Sequence, residues 1–170
     1  PASVAHMIIR RETPQDIDAI YRLTADAFAP LAMSDGSEPD IINGLRDNGA
    51  LRVSLVAEED GKIVGHGALS PVTIKGHSNW FGLGPIAVHP ERQKQGIGSA
   101  LMKHALAELE AIDACGCVLV GNPDYYRRFG FASNGALTYF DTPTKYVQFV
   151  VLRGSEPRGE IGYDDAFGGA

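Results

Sequence analysis

The stretch Ile86-Ala87-Val88-His89-Pro90-Glu91-Arg92-Gln93-Lys94-Gln95-Gly96-Ile97-Gly98-Ser99-Ala100-Leu101 carries the most chemistry per residue in this chain. It reads as a strand, a loop with two glycines and then a helix. Unpaired N–H groups at a helix start, the partial positive charge of the helix end and glycines without Cβ together suit a bound anion such as a diphosphate. Arg92 and Lys94 add positive side chains beside it. A dinucleotide fingerprint would need a third Gly or Ala where Leu101 stands, and a Walker A loop would need Gly-Lys-Ser/Thr, which is absent. An ordinary glycine-bearing helix start is the competing reading. Among titratable groups, Tyr125 and Tyr126 sit on a short helix, and His66 lies on a strand with Val64 and Ala68. His66 has the residue type to titrate near neutrality, but a buried, hydrogen-bonded histidine is the simpler reading, and His89 before Pro90 reads as structural or exposed.

The elements that must hold these residues follow from pattern. Residues 7 to 11 (MIIRR) form a short strand, and Thr13-Pro14-Gln15-Asp16 supplies an N-cap, a first-turn proline and an acid three residues on. The helix beginning there places Ile17, Ile20, Tyr21, Thr24 and Phe28 on one buried stripe. Residues 29 to 38 read as a loop and about 39 to 48 as a second helix. Leu51 to Glu58 and Lys62 to Ile74 form an antiparallel hairpin about Asp60-Gly61, with Val53, Leu55 and Ala57 facing one way. Residues 80 to 88 form a further strand, and Pro85 inside it cannot donate to a ladder, so a bulge or a parting of strands belongs there. Gly96 to Asp113 is helical, with Ile97, Leu101, Ala105, Leu109 and Ile112 along one side. Cys115 to Val120 is a strand and Pro123 to Phe129 a short helix. Ala136 to Tyr139 and Tyr146 to Leu152 are late strands, and the polar, Gly-rich tail after Gly154 is left without an element.

This order mixes hairpins with one strand-helix-strand unit. The fold class is α+β, a mixed α/β sandwich in which helices flank a mostly antiparallel mixed sheet. With 170 residues and 44% hydrophobic content, the chain has the size of one domain over 7–170. Residues 1–6 (PASVAH) read as a vector remnant. A net charge of −6, from 15 basic and 21 acidic residues, excludes nucleic acid as a partner and suits a cationic small substrate. No apolar run spans a bilayer, and a signal peptide is lacking, so a cytoplasmic protein without a membrane partner is expected. Cys115 and Cys117 stand two apart on one strand, which predicts free thiols on the same face, and neither has further ligands at metal-binding spacing.

The pattern Gln93-x-x-Gly96-x-Gly98 after LGPIAVHPE resembles the acetyl-CoA-binding motif of the GCN5-related N-acetyltransferase (GNAT) family. Asn122-Pro123-Asp124-Tyr125-Tyr126-Arg127-Arg128-Phe129-Gly130-Phe131 is similar to its later signature, a tyrosine four residues before Gly-Phe. Together with VGHGALSPV and the late YDDAF, the wording resembles the YhbS-like branch of that family over nearly the whole chain from Met7.

The resemblance implies the GNAT fold, acetyl-CoA as cosubstrate without a metal, and acetyl transfer to a primary amine of a small molecule or peptide. It implies that Ile86, Ala87 and Val88 meet the pantetheine arm where the strand containing Pro85 parts from the strand ending at Val120. Gln93, Lys94, Gln95, Gly96, Ile97, Gly98 and Ser99 then hold the pyrophosphate, with Asn122 and Tyr126 also at the cofactor. A backbone N–H near Val88 stabilises the oxyanion, and Tyr126 is the general acid for the departing sulfur. Tyr125 is expected to face elsewhere. No general base is named. Asp35 and Glu38 in the first interhelical loop are candidates to attract a cationic acceptor, against a default of solvated loop charges. The alternative to an enzyme is a non-catalytic acyl-CoA-binding sensor. A homodimer through the strand near 146 to 152 is a further expectation.

Overall fold

The computed structural model describes residues 7–168, so the vector-remnant reading of residues 1–6 lies outside the described residues. The chain runs through β1 (Met7–Arg11), α1 (Ile17–Phe28), α2 (Glu38–Asp47), β2 (Val53–Glu59), β3 (Lys62–Ile74) and β4 (His77–Val88). It continues through α3 (Ile97–Ala111), β5 (Gly116–Val120), α4 (Pro123–Tyr126), β6 (Leu137–Thr138), β7 (Val147–Val151) and β8 (Gly159–Glu160). Six strands form one sheet in the order β1-β2-β3-β4-β5-β7, with β6 and β8 paired separately. Only the β4–β5 pair of the six-stranded sheet is parallel. The α+β class holds.

Local chemistry explains the connections. Thr13 and Asp16 form the capping box, and Arg10 bridges Asp16 and Glu58, pinning the entry of the first helix to β2. The Arg10 guanidinium, more than the opposing burial, holds the Asp16 carboxyl down at about 2. Asp60 and Gly61 both take positive φ, 50° and 80°, as a two-residue hairpin turn requires.

The two faces of the sheet are covered differently. On one, Val53, Leu55, Ala57, Leu69 and Leu83 pack against Ile97, Leu101, Met102, Ala105 and Leu109 of α3. On the other, Val56 packs against Ile20 and Ile42, and Ala87 against Leu23 and Ala27, under α1 and α2. Gly65 lies beneath α3 so closely that a Cβ there would stand 2.8 Å from Ile97 Cγ2 and 3.0 Å from Leu101 Cδ1.

Several expectations are corrected. The buried stripe of α1 is Ile20, Leu23, Thr24 and Ala27, while Tyr21 is exposed and donates to Asp40 Oδ1 at 3.0 Å, tying α1 to α2. The strand through Pro85 starts at His77, three residues earlier than its apolar run, because it pairs with β3 as a long hairpin about Gly76. Cys115 and Cys117 are both free but do not share a face. Cys115 precedes the strand, where its carbonyl accepts from both Leu152 and Arg153, and this break puts it out of phase with Cys117. The polar tail forms β8 and a 3-10 turn at Asp165–Phe167 docked on α2, where Asn48 donates to Asp164 Oδ2 at 2.8 Å. The outer edge of β7 is partly covered by a bridge from Ala132 to Phe149. Among the described residues no helix is long and apolar enough to cross a membrane.

Gly65→Ala should therefore destabilise the fold by about 1–3 kcal/mol through overpacking against α3. The denaturant midpoint measures it, and an unchanged midpoint would show that α3 is free to move away from the sheet.

Candidate active site

The site is built where two neighbouring strands cease to be neighbours. β4 and β5 pair at Trp80–Gly116, Phe81–Cys117 and Gly82–Val118, and pairing stops there. Beyond it β4 stays bonded to β3 as far as Val88, and β5 stays bonded to β7 as far as Val120. The β3 partners of Leu83 and Ile86 are Leu69 and Gly67, so Gly84 and Pro85 together oppose Ala68 alone. That extra residue is the bulge expected at Pro85, and a bulge turns its strand away from the line of the sheet. His89 N–H donates to Val64 O, so by the two-residue period Ala87 also faces β3. Ile86 and Val88 therefore turn their backbone groups into the gap, and one of them, Val88 O, accepts from Gln93 Nε2 at 3.2 Å.

A cavity of about 590 Å³ runs from this gap to the start of α3. Lys94 (φ 62°) and Gly96 (φ 87°) both take left-handed backbone, and Gly96 caps α3 without any side-chain bond. Ala100 N–H is the donor to Gly96 O, so the N–H groups of Ile97, Gly98 and Ser99 have no partner from the helix ladder. Gly98 matters for space: a Cβ there would lie 3.2 Å from the Tyr125 hydroxyl. The start of α3 thus has three N–H groups free of the helix ladder behind two left-handed residues.

The side chains around it are sorted differently from their sequence positions. Ile86, Val88, Gln93, Lys94, Gly96, Ile97, Gly98, Ser99 and Tyr126 all line the cavity. Ala87 does not, since its side chain is buried against α1. Gln95 is held outside, with its Oε1 accepting from Arg92 Nε at 2.9 Å. Arg92 does not offer the free charge expected of it, because Glu59 takes its guanidinium in a close ion pair, with Nη2 to Oε2 at 2.6 Å. Asn122 is the N-cap of α4, accepting from Asp124 N–H at 2.9 Å, and so positions the tyrosines without lining the cavity.

Tyr125 is corrected most. It lines the same cavity as Tyr126, with ring centroids 4.9 Å apart, and its hydroxyl lies 3.4 Å from Ser99 Oγ. Only one turn of α4 precedes a 3-10 turn, Arg127–Phe129, so the wheel of a regular helix does not separate the two rings. Arg128 is the cation that spacing alone missed: it sits 4.5 Å above the Tyr125 ring, its Nε donates to Tyr125 O, and it too lines the cavity. The Tyr126 ring lies against Gly121, where a Cβ would meet it at 2.5 Å. Burial, followed by the Tyr125 hydroxyl, pushes the Tyr126 phenol above its ordinary range, so it holds its proton at neutral pH.

A second cavity of about 390 Å³ lies against Gly84 and Pro85, and Ile86 and Tyr126 line both cavities. Glu38 is on its wall, with Oε1 accepting from Ser34 Oγ at 2.6 Å. Asp35 is not on that wall and instead bonds Ser37 N–H and Oγ. His89 Nδ1 accepts from Glu91 N–H, a structural cap as expected. His66 is fully buried and lines neither cavity. Ser54 Oγ has one proton, which goes to Glu12 Oε1, so His66 Nε2–H is the donor to Ser54 at 2.7 Å. Glu12 is in turn paired with Arg46, and although burial pushes its carboxyl up, Arg46 and Ser54 pull it below the usual range. Among the described residues no group of side chains is arranged to hold a metal ion.

Residues 51–133 match the family model of the acetyltransferase (GNAT) domain. The chain is also 34% identical to the N-acetyltransferase YhbS of Escherichia coli (strain K12) over 127 residues, 74% of this chain and 73% of that one. It belongs to the GNAT acetyltransferase family. Among solved structures, a GNAT family acetyltransferase from Brucella melitensis in complex with acetyl-CoA is 45% identical, with a TM-score of 0.85 over 95% of this chain and 98% of that one. Escherichia coli YhbS in complex with CoA is 27% identical, with a TM-score of 0.89 over 99% and 95% of the two chains.

Burial lowers the His66 pKa to about 4, with Glu12 opposing and Arg46 assisting. A folded-state value below the unfolded 6.5 means that stability is whole above pH 6.5 and is lost as pH falls toward 4. The loss at pH 5 relative to pH 7.5 should be about 2 kcal/mol from this group. Asp16 acts in the same direction, but only below its ordinary value of 3.8. Chemical denaturation at the two pH values checks it: His66→Leu should lack that loss, and an equal loss in the variant would assign it to other groups.

Proposed function

We propose that the chain transfers the acetyl group of acetyl-CoA to a primary amine, with the first cavity holding the cosubstrate and the second the acceptor. The observation that carries this is the junction: Ile86 and Tyr126 line both cavities at the mouth of the parted strands. The acetyl-CoA and CoA found in the two similar solved structures support the same assignment.

The residues present fit the cosubstrate. The free N–H groups of Ile97, Gly98 and Ser99, behind the left-handed Lys94 and Gly96, are the donors for a diphosphate, and Gln93 and Gln95 frame that loop. Ile86 and Val88 offer the backbone groups that β5 does not take, which suits the amides of a pantetheine arm. Lys94 and Arg128 supply the charge, since Arg92 is committed to Glu59. Acetyl-CoA when bound supplies a thioester, an electrophilic carbonyl carbon on a thiolate leaving group.

The chain's own residues then manage protons. An alkyl ammonium has a pKa of about 10.4, so only on the order of one molecule in a thousand is free amine at neutral pH. The first proton leaves before attack, to water at the open side of the second cavity. The second leaves nitrogen as the N–C bond replaces the C–S bond, a proton is delivered to sulfur, and the nitrogen's proton returns through water to the group that delivered it. Tyr126 is placed for that delivery, because its buried phenol stays protonated and faces both cavities. The Val88 N–H, turned into the gap, is the donor for the carbonyl oxygen. His66 is not the base, since it is sealed beneath the sheet.

Tyr126→Phe should lower kcat by about 10²-fold, the ordinary scale of general-acid loss, while acetyl-CoA affinity by calorimetry changes little. An unchanged kcat would remove Tyr126 from this role. Acetyl-CoA binding without turnover on any amine would instead favour a sensor.

A further inference from the structure

The walls of the second cavity bear on which amine it takes, an inference that rests on the transferase reading above. Besides Tyr126, four aromatic side chains, Phe28, Tyr139, Tyr163 and Phe167, line it, and Tyr163 stands 5.0 Å from Tyr139 and 4.8 Å from Phe167 between ring centroids. Glu38 is the one acidic residue on the wall, and no Lys, Arg or His lines it. Among the described residues Glu38 makes no ion pair. Its single side-chain bond is the one from Ser34, which fixes the carboxylate without neutralising it. The aromatic wall is also preassembled. Asp164 accepts from both Asn48 Nδ2 and Ala166 N–H, which locks the segment carrying Tyr163 and Phe167 to α2. Ala166 sits so close to Gly44 that a Cβ at that glycine would stand 3.0 Å away.

We infer that the acceptor is a primary amine carried on an aromatic body and lacking a carboxylate. The ammonium group is drawn to Glu38, and the ring stacks among Tyr139, Tyr163 and Phe167. The nitrogen is thereby presented toward the junction at Ile86 and Tyr126. The same walls select against the other common amines. A polyamine needs a second anionic group for its distal charge, and the lining has one. An amino acid brings a carboxylate into a cavity with an unpaired carboxylate and no cation, and juxtaposed like charges select against it. Aminoglycosides need many polar partners, whereas the polar side chains here are Glu38 and three tyrosine hydroxyls.

The test measures thiol release and acetylated product with phenethylamine and tyramine against spermidine, phenylalanine, glycine and a short peptide. Acetyl-CoA binding is followed in parallel by calorimetry. kcat/KM for phenethylamine should exceed that for phenylalanine, the same ring and amine with a carboxylate added, by on the order of 100-fold. Glu38→Gln should raise KM for phenethylamine about tenfold with acetyl-CoA affinity unchanged, as loss of one charge-assisted contact predicts. A higher efficiency on spermidine, an amino acid or the peptide would overturn the amine class and leave the transferase reading intact. So would a KM for phenethylamine indifferent to Glu38→Gln in a folded variant. Should that variant fail to fold, the panel on the unaltered chain decides alone. Absence of acetyl-CoA binding would fell the transferase reading itself, and this inference with it.

Discussion

The whole arrangement depends on one break in a hydrogen-bond ladder. Past Gly82 and Val118, β4 and β5 no longer satisfy each other's backbone groups, and each is held in place by its other neighbour. An open ladder inside a sheet is costly unless something fills it, because unpaired backbone groups away from water lose about as much as a missing hydrogen bond. The chain accepts that cost at the extra residue of the Gly84-Pro85 bulge. Around the opening lie a helix start with free N–H groups on one side, an aromatic cavity on the other, and Tyr126 facing both.

Rigidity around the opening comes from the packing of the two faces. α3 is pressed onto Gly65, so the donors at its first turn are fixed relative to the sheet. α1 and α2 cover the opposite face, tied to one another by Tyr21 and Asp40 and to the C-terminal segment by Asn48 and Asp164. The buried line from Arg46 through Glu12 and Ser54 to His66 runs beneath the same face. With its imidazole neutral, His66 donates from Nε2 to Ser54, while its buried Nδ1 has no hydrogen-bond partner among the described residues.

Much of this was legible in the residues. The strand-loop-helix run through Gly96 and Gly98, the irregularity at Pro85 and the cap at Thr13 each had a local physical cause, and local causes can be read from spacing. What was hidden depended on contacts between distant segments. Arg92 looked like a free cation because Glu59 is 33 residues away, and Arg128 did not look like a replacement. The period of a regular helix turns Tyr125 away from the site, but this helix lasts only one turn. Glu38 could not be told from a solvated loop charge until the tail brought Tyr163 and Phe167 beside it.

The central claim is that the backbone left bare by the parted strands and by the start of α3 is the surface that grips coenzyme A. Residue-resolved amide hydrogen exchange with and without CoA addresses it directly. The account requires slowed exchange at Ile86 and Val88 and at Ile97, Gly98 and Ser99 together, with Ala87, already bonded to β3, unchanged. CoA binding that left those five amides exchanging at their free rate would contradict it.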